Sequence, residues 1–133
     1  MTTTLLRPAA AALLAFAVAC GSNPPPGQVN YDRNRINSTE IQEALSRNIT
    51  NAWDLVQTSR PMWLRQSATG LGGSAQQLVV FENTIRLGGV AALRNVPLGN
   101  VSAIRFLSPS EAGGEFGTDV NYGAIQIITN TGR

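Results

Sequence analysis

The sequence predicts a single small α+β domain in which a long N-terminal helix packs on a small mixed β-sheet. Apolar residues recur at three- and four-residue steps from about Thr39 to Ser59, as in a helix with one buried face. Shorter β-branched and apolar runs bounded by turn residues follow and indicate strands. A chain of 133 residues, with part of it outside the ordered region, supplies one modest core and not two.

The predicted helix has signals at both ends. Thr39 and Gln42 have the spacing of a capping box, and the charge of Glu40 in the first turn suits the positive end of the helix dipole. Pro61 removes a backbone donor and disfavours helical backbone at the residue before it. We therefore expect the helix to end near Ser59.

Two segments between the helix and the strands have no regular pattern. Met62, Trp63 and Leu64 form a short apolar run, which we interpret as a plug of the core in preference to a platform for ligand stacking. The glycine-rich segment 70–74 is predicted to be a flexible loop. A phosphate cradle is not indicated there, because no strand precedes the segment and no Gly-Lys-Ser/Thr follows it.

The first two strands are predicted as a hairpin. Residues 77–81 and 84–87 are apolar or β-branched, and Glu82-Asn83 between them suits a tight turn. Gly88-Gly89 should end the hairpin. Val90–Asn95 could form one or two helical turns, stopped before Pro97.

The C-terminal part of the chain is predicted as strand, short helix and strand. Val101–Leu107 is the first of these strands, and Ser108 with Glu111 has the spacing of a second capping box. Gly113-Gly114 should terminate that helix after little more than one turn. Gly123–Thr129 is predicted to be a buried final strand. The segment between it and the preceding strand is long enough for a crossover, which would make the two strands parallel.

The N-terminus has the organisation of an export signal that ends at the only cysteine. Arg7 is the sole charge before an apolar run, and Ala17-Val18-Ala19-Cys20 resembles a bacterial lipobox, which implies cleavage before Cys20 and acylation of its thiol. An alternative stays open, because Ala17-x-Ala19 also suits the ordinary signal peptidase, which would leave a secreted protein with a free thiol. Lipidation at Cys20 is the favoured prediction.

The chain is accordingly divided into three parts. Residues 1–19 are predicted to be a lipoprotein signal peptide, 20–37 a tether rich in proline and glycine, and 38–133 the folded domain. Pro24-Pro25-Pro26 favours an extended tether that holds the domain away from a bilayer. Residue 21 is Gly and not Asp, which by the enterobacterial sorting rule favours the outer membrane. The rule leaves the leaflet open, and a domain facing the periplasm is the favoured prediction.

Composition argues against catalysis and against nucleic-acid binding. All ten basic residues are arginine, scattered along a chain with eight acidic residues, so no basic stripe is formed. Histidine and lysine are absent, which removes the usual general base and Schiff-base chemistry. Glu111, Glu115 and Asp119 could pair or hold a hard cation, but their spacing favours solvated charges. We expect no enzyme activity, no metal and no cofactor.

The C-terminal half resembles the plug domain of TonB-dependent receptors, especially of the SusC-like kind. The segment 101–107 matches a plug strand, Phe116-Gly117 stands where the plugs have Tyr-Gly, and Tyr122–Thr129 matches the strand that follows. Residues 79–85 are similar to the upstream plug pattern, with Glu82-Asn83 where Asp-Gly is usual. The resemblance covers about residues 77–131 and, more weakly, residues 38–59 of the predicted helix.

The resemblance implies a plug-like fold, used here outside a transporter. We find no convincing TonB box, and no barrel sequence follows Arg133, so we expect no transport by this chain alone. The favoured function is non-catalytic docking onto an outer-membrane receptor or transport complex. The candidate binding residues lie in two loop regions, since loops on a rigid scaffold carry most binding sites: Gly70, Gly72, Gly73, Glu111, Glu115, Phe116, Asp119 and Tyr122. The alternatives are a small-ligand carrier for uptake and, less favoured, an enzyme with a borrowed cofactor.

Overall fold

A five-stranded mixed β-sheet organises the fold. The computed structural model describes residues 31–66 and 78–130. The strands are β1 Arg35–Ile36, β2 Val79–Glu82, β3 Ile85–Gly89, β4 Val101–Leu107 and β5 Ala124–Thr129. They lie in the order β1-β4-β5-β2-β3, with β2 and β5 parallel and all other neighbours antiparallel. The prediction of a single small α+β domain with a mixed sheet is confirmed.

Helices cover the two faces of the sheet unequally. They are α1 Ser38–Ser46, α2 Ala52–Ser59, α3 Pro61–Gln66 and α4 Pro109–Phe116, with 3₁₀ turns at Val90–Asn95 and Leu98–Asn100. The first three helices and the 3₁₀ turns share the larger core with one face of the sheet. On the opposite face, α4 packs over a smaller cluster.

The long helix predicted from Thr39 to Ser59 is not confirmed, because the chain breaks it between α1 and α2. Asn48 adopts a positive φ of 62°, a conformation that asparagine tolerates better than most residues. The Ile49 N–H then donates to the Ala44 carbonyl at 3.0 Å, which closes the end of α1 as in a Schellman motif. Asn51 caps the start of α2 by accepting the Asp54 N–H at 2.9 Å.

The cap of α1 also differs from the prediction. Asn37 is the N-cap, and its side-chain oxygen accepts the Glu40 N–H at 3.0 Å. The predicted capping box of Thr39 and Gln42 is therefore wrong by two residues. The predicted end at Ser59 is confirmed for α2, and Pro61 opens α3, where a missing N–H costs nothing.

The larger core lies between the sheet and the α1–α3 layer. The buried faces of α1 and α2 follow the predicted helical period, and alternate residues of β2, β4 and β5 face them. Its largest fully buried side chains are Ile36, Ile41, Leu55, Leu78, Leu93, Leu98, Ile104, Ile125, Ile127, Val56 and Val80. Leu107, also fully buried, lies in the smaller cluster on the opposite face.

The predicted hairpin is confirmed, with its turn shifted by one residue. β2 and β3 are joined at Asn83-Thr84, where Asn83 has a φ of 54°. β3 extends through Gly88-Gly89, which were expected to end it. Val90–Asn95 is helical as predicted, in the 3₁₀ form.

The direction of the last strand corrects a prediction. β5 is antiparallel to β4 and parallel to β2. Leu107 at the end of β4 pairs with Ala124 at the start of β5, so the connection leaves and re-enters the sheet at the same end. The connection includes a helix yet makes no crossover, because α4 lies over one face of the sheet and the chain then returns beside β4.

The ordered structure includes residues that the sequence assigns to the tether. Arg35 and Ile36 pair with Arg105 and Ile104 of β4, and Ile36 is fully buried. The Phe106 N–H donates to the Asn34 carbonyl at 2.8 Å, which extends this contact by one residue. The edge of the sheet is thus formed by the segment through which a tether from Cys20 would enter the domain.

Candidate functional site

The predicted binding region begins at α4, which starts directly after β4. Ser108 and Glu111 form the predicted capping box: the Glu111 N–H donates to Ser108 Oγ at 3.4 Å, and Glu111 Oε2 accepts the Ser108 N–H at 2.9 Å. Ser108 Oγ also donates to Glu111 Oε2 at 2.6 Å. Pro109 occupies the first helical position. The cap fixes where the helix leaves the sheet.

The predicted end of this helix at Gly113-Gly114 is wrong. α4 continues to Phe116 and ends at Gly117, whose φ of 97° and ψ of 176° belong to a region that is essentially restricted to glycine. Two glycines inside a helix cost about 1 kcal/mol each relative to alanine. Packing of Ala112 and Phe116 against the sheet offsets this cost.

The underside of α4 is fixed by apolar contacts. Ala112 is fully buried, and the Phe116 ring stacks on the Phe81 ring of β2 with centroids 3.9 Å apart and planes 7° apart. Val120, in the loop after α4, is also buried in this cluster. Phe116, predicted as a binding residue, therefore has a structural role and holds the helix on the sheet.

A polar network joins α4 to the sheet beside this cluster. Gln126 of β5 is buried, and its Nε2 donates to Glu115 Oε1 at 3.2 Å and to the Asn83 carbonyl at 3.0 Å. Its Oε1 accepts from Arg105 Nη1 at 3.1 Å, and Arg105 Nη2 lies 3.9 Å from Glu115 Oε2. Glu115 is thus engaged with both a cation and an amide.

The outer side of this region is acidic and partly aromatic. Glu111 and Glu115 lie one turn apart on α4, and Asp119 and Tyr122 lie on the loop between α4 and β5. Asp119 is exposed, and Tyr122 is 46% exposed. We call these four residues the α4 surface. Its shape is set by the packing beneath it, and its charge is available to a partner.

Hydrogen bonds lower the pKa of the Glu111 carboxyl below its ordinary value of 4.5. The largest cause is the bond from the Ser108 hydroxyl, followed by the bond from the Ser108 backbone N–H and the charge of Arg105. These interactions favour the ionised form. Glu111 is exposed, so solvent weakens these interactions. Their stabilising effect is local to the first turn of α4.

This cap predicts a specific pH dependence. A carboxyl whose pKa is lower in the folded than in the unfolded state contributes stability above the unfolded value, and the contribution is lost as the pH falls through the folded value. Glu111→Gln should therefore lower stability at neutral pH and reduce the loss of stability on acidification below about pH 4.5. Urea unfolding from neutral to acidic pH measures this, with Asp119→Asn as the exposed control. If wild type and Glu111→Gln lose the same free energy of unfolding on acidification, the prediction is wrong.

Among residues 31–66 and 78–130, no cluster of three or more metal-ligating side chains occurs. Glu111 serves as a helix cap and Glu115 lies in an ion pair, so neither carboxylate is set against the other as an acid–base pair. None of the helices in the described ranges has the length and apolar character needed to traverse a bilayer.

Four of the predicted site residues cannot be placed. Cys20, Gly70, Gly72 and Gly73 lie outside the described residues. Their predicted roles, lipidation for Cys20 and binding for the glycines, stay predictions.

A second concave region, which the sequence did not reveal, lies beside α3. We call it the α3 groove. It has a volume of about 410 Å³ and is lined by Arg33, Asn34, Ser59, Arg60, Pro61, Met62, Trp63 and Phe106. Trp63 is buried and stacks on Phe106 at 5.6 Å between ring centroids, so the floor is aromatic. Of the apolar run predicted to plug the core, Trp63 is buried in the larger core and Leu64 packs against it, whereas Met62 is 60% exposed.

The groove is held together by Arg60. Its guanidinium donates to the Asp32 carbonyl at 2.8 and 3.1 Å and to the Arg35 carbonyl at 3.2 Å. Arg60 also pairs with Glu40 at 3.0 Å, and the two side chains are only 12% and 4% exposed. The Tyr31 ring lies 5.7 Å from Arg60 Cζ. The entering segment is thus bound to the helix layer.

Comparison with protein-family models, curated proteins and solved structures gives no significant match for the chain. The resemblance to TonB-receptor plugs rests on the sequence motifs alone.

Proposed function

We propose that the chain is a non-catalytic cell-envelope lipoprotein, anchored through Cys20, whose plug-like domain docks onto an outer-membrane receptor or transport complex. The observation that carries the proposal is the α4 surface. Acidic and aromatic groups are presented there on a helix and loop that are fixed from below by the Phe116–Phe81 stack. A rigid surface of this kind binds without losing much conformational freedom.

The chemistry of the α4 surface indicates the kind of partner. Glu111 and Asp119 are exposed acids, and Tyr122 adds an amphipathic ring of the type enriched at protein interfaces. A complementary partner carries a basic patch with an apolar contact for the ring. The resemblance of residues 77–131 to receptor plugs is the second support, since it relates the fold to outer-membrane receptors.

Photo-crosslinking in living cells tests the docking. With a benzophenone amino acid at Tyr122, we expect a covalent adduct to an outer-membrane barrel protein, identified by mass spectrometry. The same probe at Gln57, an exposed residue of α2 on the other side of the sheet, is the matched control and should give no such adduct. The charge reversal Asp119→Arg should reduce the adduct from position 122 to roughly a tenth, because like charges then meet.

Two outcomes would overturn the docking proposal. One is the absence of a barrel protein from the adducts at position 122 in the chain with an intact Cys20. The other is an equal yield from positions 122 and 57. In the Cys20→Ser chain the adduct should be lost, and an undiminished yield would show that docking does not need the anchor.

The α3 groove favours one alternative, a carrier that holds a small ligand for uptake. Its volume of about 410 Å³ is within the range of ligand pockets, and its aromatic floor lies beside an arginine rim. This alternative predicts saturable binding of a peptide, glycan or metal chelate to the purified chain, abolished by Met62→Glu. If the chain only docks onto a protein, calorimetric titration of the purified chain with these ligands should show no heat of binding.

A further inference from the structure

We propose that the α3 groove and the arginines beside it contact the anionic phospholipids of the membrane to which the chain is anchored. The inference rests on the proposed function, because anchoring through Cys20 is what brings the membrane close to the domain. It adds a second surface to the domain, distinct from the α4 surface, with a different class of partner.

The position of the groove along the chain places it close to the anchor. Tyr31 follows Cys20 by eleven residues, so even a fully extended chain spans no more than about 40 Å between them. Residues close to Cys20 in sequence form part of the groove, since Arg33 and Asn34 line it and Tyr31 lies against Arg60. Of the surfaces described, this one is tied most directly to the anchor.

The apolar part of the groove suits the interfacial zone of a bilayer. Met62 is a long flexible side chain that is 60% exposed, and it stands beside the aromatic floor of Trp63 and Phe106. Tyr31, also largely exposed, is an amphipathic ring of the kind found at the headgroup level. Met62 and Arg65 are three residues apart on α3 and therefore share one face of the helix.

The charged part of the groove suits phosphate groups. The side chains of Arg33 and Arg65 are exposed and make no hydrogen bond or ion pair with any residue in 31–66 or 78–130. The charge of Arg60, in contrast, is compensated by Glu40. The acidic neighbour is Asp32, whose Oδ1 accepts the Asn34 N–H at 2.9 Å. Asp32 keeps its own negative charge, so two exposed arginines, Arg33 in the lining and Arg65 beside it, stand against one exposed aspartate. The groove and its edge thus have a net positive charge around an apolar centre, whereas the α4 surface is acidic.

The two surfaces lie on opposite faces of the sheet. Trp63 and Phe106 belong to the core on the α1–α3 side, and α4 covers the other side. Contact of the groove with lipid would leave the α4 surface accessible to a protein partner. The membrane contact therefore gives docking a defined orientation.

Vesicle flotation tests the membrane contact. The experiment uses the chain from residue 20 onward with Cys20→Ser, which carries no lipid and retains every described element. We expect it to bind vesicles that contain phosphatidylglycerol and not vesicles of phosphatidylcholine alone. Arg33→Gln with Arg65→Gln should lower the partition coefficient roughly 25-fold, at about fivefold per arginine. Arg86→Gln on β3, at the opposite edge of the sheet, is the matched control and should bind like the parent chain.

A fluorescence measurement locates the contact independently. In the same Cys20→Ser chain, Met62→Cys labelled with an environment-sensitive dye should shift to shorter wavelength on the anionic vesicles. Ile85→Cys, an exposed apolar residue of β3, should show no shift. Equal binding to both kinds of vesicle, equal partition of the double variant and Arg86→Gln, or equal shifts at positions 62 and 85 would each overturn the inference.

The vesicle experiment tests the membrane contact independently of docking, because the purified chain carries no anchor and no partner protein is present. Vesicle binding without a crosslink at position 122 would support the membrane contact and overturn docking. A crosslink without vesicle binding would do the reverse. Because Arg33, Met62, Arg65 and Arg86 are all exposed, the variants should unfold at the same urea concentration as the parent, which confirms that binding is compared between folded chains.

Discussion

Arg60→Met is expected to lower the free energy of unfolding by about 3–5 kcal/mol, the usual cost of removing one partner from a buried ion pair. Glu40 is the residue left behind. Its side chain is 4% exposed and lies 3.0 Å from the guanidinium, so its charge would remain without a partner in a poorly solvated site. Methionine preserves most of the apolar stem of arginine, which separates the loss of charge from the loss of packing.

The same substitution should also loosen the edge of the sheet. Arg60 donates to the carbonyls of Asp32 and Arg35, which lie before and within β1. Without these bonds, the two-residue strand would be held by its pairing to β4 and by the burial of Ile36. We expect faster amide hydrogen exchange at Ile36 in Arg60→Met than global destabilisation alone produces.

A double-mutant cycle provides the measurement. Urea unfolding, followed by tryptophan fluorescence, compares Arg60→Met, Glu40→Met and the double variant. The double variant should be more stable than the sum of the single losses implies, because neither of its apolar residues leaves a charge unpaired. Additive losses, or a loss below about 1 kcal/mol for Arg60→Met, would show that the pair contributes little.

Local signals predicted the strands better than the helices. β4 has the predicted bounds, and the Ser108–Glu111 cap is present, because both depend on neighbouring residues. The break between α1 and α2 was missed because the apolar period continues through Ile49 and conceals it. The two asparagines that make the break, Asn48 and Asn51, could have signalled it, since one tolerates positive φ and the other is a good N-cap.

The features that the sequence did not predict depend on distant contacts. Arg60 and Glu40 are separated by 20 residues along the chain, and the carbonyls that Arg60 binds lie further away. The entering segment is held against α3 by hydrogen bonds from Arg60 to the Asp32 and Arg35 carbonyls and from Trp63 Nε1 to the Arg33 carbonyl, and this contact forms the α3 groove. For α4, the sequence placed the acidic residues but could not show that Phe116 would turn inward onto Phe81. Side-chain exposure depends on tertiary contacts. Met62 is exposed although it lies in an apolar run that predicted burial.

Gly123→Ala is expected to destabilise the domain by about 3–5 kcal/mol, the sum of backbone strain and overpacking. Gly123 has a φ of 92°, which L-residues rarely adopt. A Cβ at this position would lie 2.6 Å from the Leu107 carbonyl oxygen and 3.2 Å from Leu78 Cδ2. The carbonyl belongs to the end of β4, so it cannot move without disturbing the pairing of Leu107 with Ala124.

Two other glycines of this region separate strain from steric contact. Gly117→Ala shares the positive φ, 97°, but its Cβ would meet nothing within 4 Å, so a loss of about 1–3 kcal/mol from strain alone is expected. Gly113→Ala lies in helical backbone with open space around it and should stabilise α4 by about 0.5–1 kcal/mol. Urea unfolding of the three variants should rank stability in the order Gly113→Ala, Gly117→Ala and Gly123→Ala. Equal losses at positions 117 and 123 would mean that the close approach of β4 to the start of β5 is not a constraint on the fold.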